Sequence, residues 1–251
     1  MTAFPHHTAM SHILFISDLH LSPATPEIVQ QFQRFLSGDS VGTADALYIL
    51  GDLFDAWIGD DDPSSFAAQI REMLQEAGRH THLYFQHGNR DFLLGEDFAH
   101  AVNLTLLPEE HVIQIAGQPV LLLHGDQLCT DDTDYQQARK LFRSPEFRAQ
   151  AMAMSIPQRM QKAAEIRQMS GEAKATKSSD IMDVNQQAVE AIMRKHGVRR
   201  LIHGHTHRPQ THTFDLDSHQ AERIVLTDWQ ATASGALQVE TDSGKMRTVT
   251  V

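Results

Sequence analysis

Ala46-Leu47-Tyr48-Ile49-Leu50-Gly51-Asp52 runs through five apolar residues and stops at a glycine and a carboxylate. A run this short, apolar at successive positions, is what a strand buried on both faces looks like. The pattern recurs. Ile13-Leu14-Phe15-Ile16 leads into Ser17-Asp18-Leu19-His20, and Leu83-Tyr84-Phe85 into His87-Gly88-Asn89-Arg90-Asp91. Val120 to Leu123 leads into His124-Gly125-Asp126, and Leu201-Ile202 into His203-Gly204-His205-Thr206-His207. Five strands thus end in five polar loops.

Between the first strands lie helical patterns. Val29, Phe32 and Phe35-Leu36 share one face, as do Phe66, Ile70 and Met73-Leu74, with Gly38 and Gly78 as stops. The chain therefore reads as an α/β protein, and in such sheets ligands gather beyond the carboxyl ends of the strands. That places the five polar clusters in one site.

The alternation breaks over residues 134–178, read as a helical cap inserted into a single domain spanning 1–251. Met152, Ile156, Met160 and Ala163-Ala164 fall at helical spacing, with Ser155 as a cap and Pro157 in a first turn. Asp180 is expected to cap a further helix with the face Ile181, Val184, Ala188 and Ile192, ending at Gly197. Beyond His207, Arg223 to Leu226, Ala236 to Glu240 and Lys245 to Val251 read as short strands.

Composition narrows the function. Acidic residues outnumber basic ones, 32 to 21, and a net charge of −11 argues against non-specific attraction to nucleic acid. The charge is uneven, however: between Arg139 and Lys177 nine basic residues meet three acidic ones, which makes a local anion site plausible. The single cysteine, Cys129, excludes an internal disulfide and fits a reducing cytoplasm. Met1 to Ser11 does not resemble a secretory signal, and no apolar stretch is long enough to span a membrane.

The polar clusters carry the chemistry. Asp18 and His20 stand two residues apart, so in an extended segment both can converge on one cation, and His205 and His207 repeat that spacing. The carboxylate of Asp52 has two oxygens and can bridge two cations. Asn89 offers a neutral amide oxygen and His124 an imidazole from another strand end. Nitrogen and oxygen donors together suit manganese, iron or zinc better than calcium. Taken singly, an Asp after a strand is more often a helix cap and a loop His merely solvated. Five clusters at five strand ends outweigh that reading. Asp60-Asp61-Asp62 is left outside the metal set, because successive side chains diverge, and is read as a loop capping the next helix. Trp57 is read as a packing residue.

The ordered series Asp-x-His, Gly-Asp, Gly-Asn, His and Gly-His-x-His resembles the calcineurin-like metallophosphoesterases from Asp18 to His207. That resemblance implies an αββα sandwich of two mixed β-sheets flanked by helices. It implies two divalent metal ions, with manganese expected, one on Asp18, His20, Asp52 and His207, the other on Asp52, Asn89, His124 and His205. Arg90 stands where the superfamily commonly has His, so a guanidinium that can grip phosphate oxygens replaces a histidine acid.

Longer segments, Gly51 to Asp62, His87 to Gly95, Leu128 to Asp132, Ile181 to Asn185 and His203 to Pro209, resemble the UDP-2,3-diacylglucosamine diphosphatases of lipid A biosynthesis. The resemblance implies water attack at the α-phosphorus, giving UMP and 2,3-diacylglucosamine 1-phosphate (lipid X), with Asp52, Asn89, Arg90, His124 and His205 catalytic. It also implies substrate contacts at Asn89, Arg90, Asp132, Ser170, Lys174, Lys177 and His205, an apolar cleft for acyl chains, and peripheral attachment to the cytoplasmic face of the inner membrane. No nucleic acid and no protein partner is implied. Lys174 departs from the family, where Asn or Thr is usual. The competing readings are another bimetallic phosphodiesterase or nucleotide pyrophosphatase, and a non-catalytic metal-binding scaffold.

Overall fold

A computed structural model describes residues 11–176 and 183–251, without the side chains of 170–176. The decisive runs are strands: β1 (His12–Ile16), β2 (Ala46–Leu50), β3 (His82–Gln86), β4 (Leu104–Leu106), β5 (His111–Ile115), β6 (Gln118–Leu122) and β7 (Arg200–His203). β8 (Gln210–Leu216), β9 (His219–Val225), β10 (Gly235–Glu240) and β11 (Met246–Thr250) follow. One sheet has the order β11-β10-β1-β2-β3-β4 and the other β5-β6-β7-β9-β8. Both are mixed: β1, β2, β3 and β4 run parallel while β10 and β11 are antiparallel, and parallel β6, β7 and β9 are flanked by antiparallel β5 and β8.

The unbroken apolar runs follow from this layering. Along β1, Leu14 and Ile16 face α1 (Pro26–Leu36) and α3 (Ser65–Ala77), joining Phe32, Ile70 and Leu74. Ile13 and Phe15 face the second sheet, joining Val120, Leu122 and Ile202. Successive side chains of a strand point to opposite faces, so a strand between two apolar layers needs both sets. Leu121, Leu123 and Leu201 make the outer layer with Val189 and Met193 of α8 (Gln186–His196). The two-sheet sandwich with outer helices is thus present, where the residue pattern alone had reached only α/β.

Short α2 (Asp39–Gly42) and α4 (Glu96–Ala101) flank the first sheet's connections. Three helices, α5 (Thr133–Phe142), α6 (Pro145–Ala153) and α7 (Ile156–Thr176), lie between β6 and α8. They are tethered by specific contacts more than by a core. Arg159 donates to Ile58 O at 2.7 Å and to Asp61 Oδ1 at 2.6 Å, Arg167 pairs with Asp55, and Phe142 stacks on Phe92 at 5.8 Å.

Several local expectations need correction. The Met152 to Met160 stripe is not one helical face, because the chain leaves helix at Met154 and Ser155, and Met152 and Met160 are exposed. α8 begins at Gln186, with the Asn185 side chain accepting the Ala188 N–H, and Asp180 lies outside the described residues. A side chain capping an exposed N–H wins over apolar periodicity in setting a helix start. Ser64, not the acidic triplet, caps α3, while Asp60 accepts the N–H groups of Gly95 and Phe98 at the start of α4. Edge strand β8 escaped detection because its pattern is largely polar and exposed. Among the described residues no helix is long and apolar enough to cross a membrane.

Candidate metal centre

The loops after β1, β2, β3, β6 and β7 converge. Backbone bonds zip the first two together: Asp18 N–H donates to Gly51 O, His20 N–H to Asp52 O and Leu21 N–H to Leu53 O, at 2.9–3.1 Å. The His205 N–H then donates to Asp18 Oδ2 at 2.8 Å.

Asp18 and His20 do converge, but not through an extended segment. Their φ values are 55° and 48°, and Asp52, His205 and His207 are also left-handed at 53°, 69° and 54°. Left-handed backbone costs an L-residue roughly 1–2 kcal/mol, and such strain persists where surrounding contacts over-determine the site. Here the cross-loop hydrogen bonds supply that constraint. Gly88 is required for a different reason: an added Cβ would overlap the carboxylate and amide of Asp52. Gly88→Ala is therefore expected to displace Asp52 and cost about 100-fold in turnover, the scale of a roughly 1 Å misplacement. Metal content after dialysis would fall with it, and unaltered content would contradict this placement.

All seven expected metal residues come together. Asp18 Oδ1 is 3.5 Å from His207 Nε2, which is 3.3 Å from His20 Nε2. His20 Nε2 is 3.9 Å from Asp52 Oδ2, while His124 Nε2 is 3.8 Å from Asp52 Oδ1. The two oxygens of one carboxylate thus face two different histidines. Asn89 Oδ1 lies 3.3 Å from His124 Nε2 and 3.0 Å from His205 Nδ1. Asp18, His20 and His207 form one group able to hold an ion, and Asp18, Asp52 and His124 another.

Two observations test whether cations fit. Asp18 Oδ1 is buried with no well-formed hydrogen bond, His207 Nε2 standing 3.5 Å away, a costly state for a carboxylate oxygen unless a cation faces it. Burial, with His124 beside it, pushes His205 down to about 4, and burial lowers His20 as well, which favours the neutral imidazole that a cation needs. Burial works against the charge on Asp18, but His207, His124 and His20 hold its carboxyl below the usual range. Burial likewise works to lower His124, yet Asp52, Asp18 and Asp126 outweigh it and raise its value. The carboxylates that favour a proton on His124 would equally favour a cation beside it. Nδ1 of His124 lies 2.8 Å from Leu50 O, which aims Nε2 into the site.

Arg90 stands beside this cluster, its N–H donating to Asp52 Oδ1 at 2.9 Å. Asn89 and Arg90 line a cleft shared with Trp57, Ile58, Phe92, Phe147, Met154 and Ile166. Trp57 packs on Phe54 and Phe98 and also reaches this cleft. The Asp132 carboxylate caps α5, accepting from Tyr135 N at 3.1 Å. Ser170 and Lys174 fall in the part of α7 without described side chains, and Lys177 lies outside the described residues.

Sequence reasoning assigned no role to Asp91, Asp126, Tyr135 or Asp228. Asp91 accepts the N–H groups of Leu53 at 2.7 Å and Gly88 at 2.8 Å, joining two of the converging loops. Tyr135 stacks on His205 at 5.9 Å, and Asp228 Oδ2 is 3.6 Å from His207 Nδ1. Asp91 and Asp126 stood inside the recognised motifs, so position was their signal. Asp228 had none.

The chain matches the description Calcineurin-like phosphoesterase over residues 11–209. A protein of Chromohalobacter salexigens named UDP-2,3-diacylglucosamine hydrolase is 49% identical over 92% of this chain and 94% of its own. Proteins of the same name from Serratia proteamaculans and Shigella dysenteriae serotype 1 are 49% and 48% identical, each over 88% of this chain and 92% of its own. A site of two facing donor groups on the strand ends of a double-sheet sandwich, matched along most of its length, assigns the chain to the calcineurin-like phosphoesterase family.

Proposed function

We propose that this metal-dependent hydrolase cleaves the pyrophosphate of UDP-2,3-diacylglucosamine to UMP and 2,3-diacylglucosamine 1-phosphate. The observation that carries the reading is one cleft shared by Asn89, Arg90 and a largely aromatic and aliphatic wall from the β2 and β3 loops and α6–α7. Phosphate-binding groups and apolar surface meet there, as a diacylated sugar phosphate requires. The relatives named UDP-2,3-diacylglucosamine hydrolase support the same substrate.

Asp18, His20, Asp52 and His207 would hold one divalent cation and Asp52, Asn89, His124 and His205 the other, manganese being the metal we propose. Bound cations supply Lewis-acid charge at the phosphates and acidify the attacking water. The chain's own residues do the rest. The zipped loops keep both faces of Asp52 in register, the backbone N–H of Arg90 holds one of its oxygens, and the Arg90 guanidinium offers a planar fork to phosphate oxygens. Arg90→Lys is expected to reduce kcat/KM about tenfold to a hundredfold, because hydrogen bonds to charged groups contribute roughly 1.5–3 kcal/mol and an ammonium cannot reproduce the fork. A wild-type value would remove Arg90 from substrate binding.

We assign α5–α7 as the cap that closes the acyl side of the cleft. Leu141, Met160 and Met169 are exposed on it, 57%, 58% and 68%, beside Lys140 and Lys162. Apolar and cationic side chains exposed on α5 and α7 support docking on the anionic cytoplasmic leaflet. Flotation with phosphatidylglycerol vesicles but not with phosphatidylcholine ones is the expected result, and no flotation with either would remove the membrane from the reading.

The test of the activity is UMP release from UDP-2,3-diacylglucosamine by the purified chain, with manganese and after chelation, beside a simple chromogenic phosphodiester. Metal-dependent UMP far above the control rate supports the substrate. Good control hydrolysis without UMP would leave a phosphodiesterase of other specificity.

A further inference from the structure

The neutral amide of Asn89 is the weakest donor in the proposed ligand set. It carries no charge to draw a cation, so its position must be imposed by the protein. The cap supplies the means. Arg143, on the C-terminal side of α5, donates through Nη2 to the carbonyls of His87 and Gly88, each at 3.2 Å. The Gly88 carbonyl belongs to the peptide plane that leads into Asn89, so holding it orients that residue.

Arg143 is itself fixed from several sides. The same Nη2 lies 3.2 Å from Asp126 Oδ2, which also receives Arg139 Nε at 2.8 Å and the Tyr135 hydroxyl at 2.9 Å. Glu109 closes the network, Oε1 to Arg143 Nη1 at 2.7 Å and Oε2 to Arg139 Nη2 at 2.9 Å. Asp126 is fully buried, and its ionised form is worth keeping there only because two guanidinium groups reach it. The preceding residue, Phe142, stacks on Phe92 beyond the far end of the same loop, so α5 grips residues 87–92 from both sides.

We infer that Arg143 is a positioning residue for Asn89, and that through it the cap sets the affinity of the cation position shared by Asn89, His124 and His205 while supplying no ligand. The inference rests on the two-metal assignment above. Removing Arg143 therefore weakens one cation position selectively, whereas a general loosening of the cap does not.

Manganese titration of the full-length chain, followed by calorimetry and electron paramagnetic resonance, separates these cases. The wild type is expected to bind two ions and show the exchange-coupled signal of a close pair. In Arg143→Gln the first ion should bind as in wild type and the second about 10–100-fold more weakly, as for loss of an outer partner of a ligand, so that isolated-ion signal persists at two equivalents. Arg143→Lys, which keeps the charge but not the fork, should recover part of the coupled signal. Arg159→Gln cuts another cap tether, to Asp61 and Ile58, and should keep the wild-type pair. A wild-type pair in Arg143→Gln, or equal weakening in Arg159→Gln, overturns the inference. A wild-type chain that takes up no second ion overturns the two-metal assignment and the inference together.

Discussion

Asp52→Asn is expected to abolish turnover of UDP-2,3-diacylglucosamine, by on the order of a thousandfold or more, while leaving the chain folded. Asp52 turns its two oxygens to two different histidines, Oδ2 towards His20 and Oδ1 towards His124. An asparagine keeps one oxygen for the N–H of Arg90 but turns an NH2 group towards one of the cation positions, removing both charge and lone pairs there. Its similar volume keeps the buried packing. Elemental analysis of the dialysed variant should find fewer metal ions per chain, and UMP release should be near background. Full metal content with a wild-type rate would overturn the bridging role.

Asp91→Ala is expected to cost the fold about 2–5 kcal/mol and the melting temperature on the order of 10 °C. The carboxylate has no solvent exposure and takes close N–H groups from Leu53 and Gly88, with longer contacts to the amides of Asp52 and Phe54. Burial and the neighbouring Asp52 push its carboxyl up to about 7, while the Gly88 and Leu53 amides pull the other way. Alanine would leave those buried donors unmatched and free the loop carrying Asp52 from the loop carrying Asn89. Asp91→Asn should recover little, because its NH2 group would meet one of the same amides. Thermal unfolding read by circular dichroism checks this, and an unchanged transition would show that the clamp contributes nothing. The two variants separate the roles: Asp52→Asn should lose metal with its stability nearly intact, and Asp91→Ala should lose both.

The site was legible as a set because its residues sit at strand ends. Apolar runs such as Ile13 to Ile16 and Ala46 to Leu50 mark buried strands, and whatever follows them must lie at the sheet edge. How the residues converge was not legible. Spacing suggested that Asp18 and His20 point the same way from extended backbone, yet both are left-handed, because the loop is bonded to the Asp52 loop and not to a neighbouring strand. The start of α8 was misplaced for a related reason. Ile181 and Val184 continue the apolar spacing, but Asn185 provides the side-chain oxygen that ends the search for a cap.

The amino-acid sequence by itself determined the strand runs, the polar loops that close them and the donor types gathered there, all of which depend on near neighbours along the chain. Tertiary structure alone decided how the strands pair within the two sheets, that the two oxygens of Asp52 face different histidines, and that Asp91, Asp228 and Arg143 contact the converging loops. Those contacts join residues far apart in sequence. Their partners are selected by how the two sheets and the inserted helices pack, and packing leaves no periodic mark in the sequence.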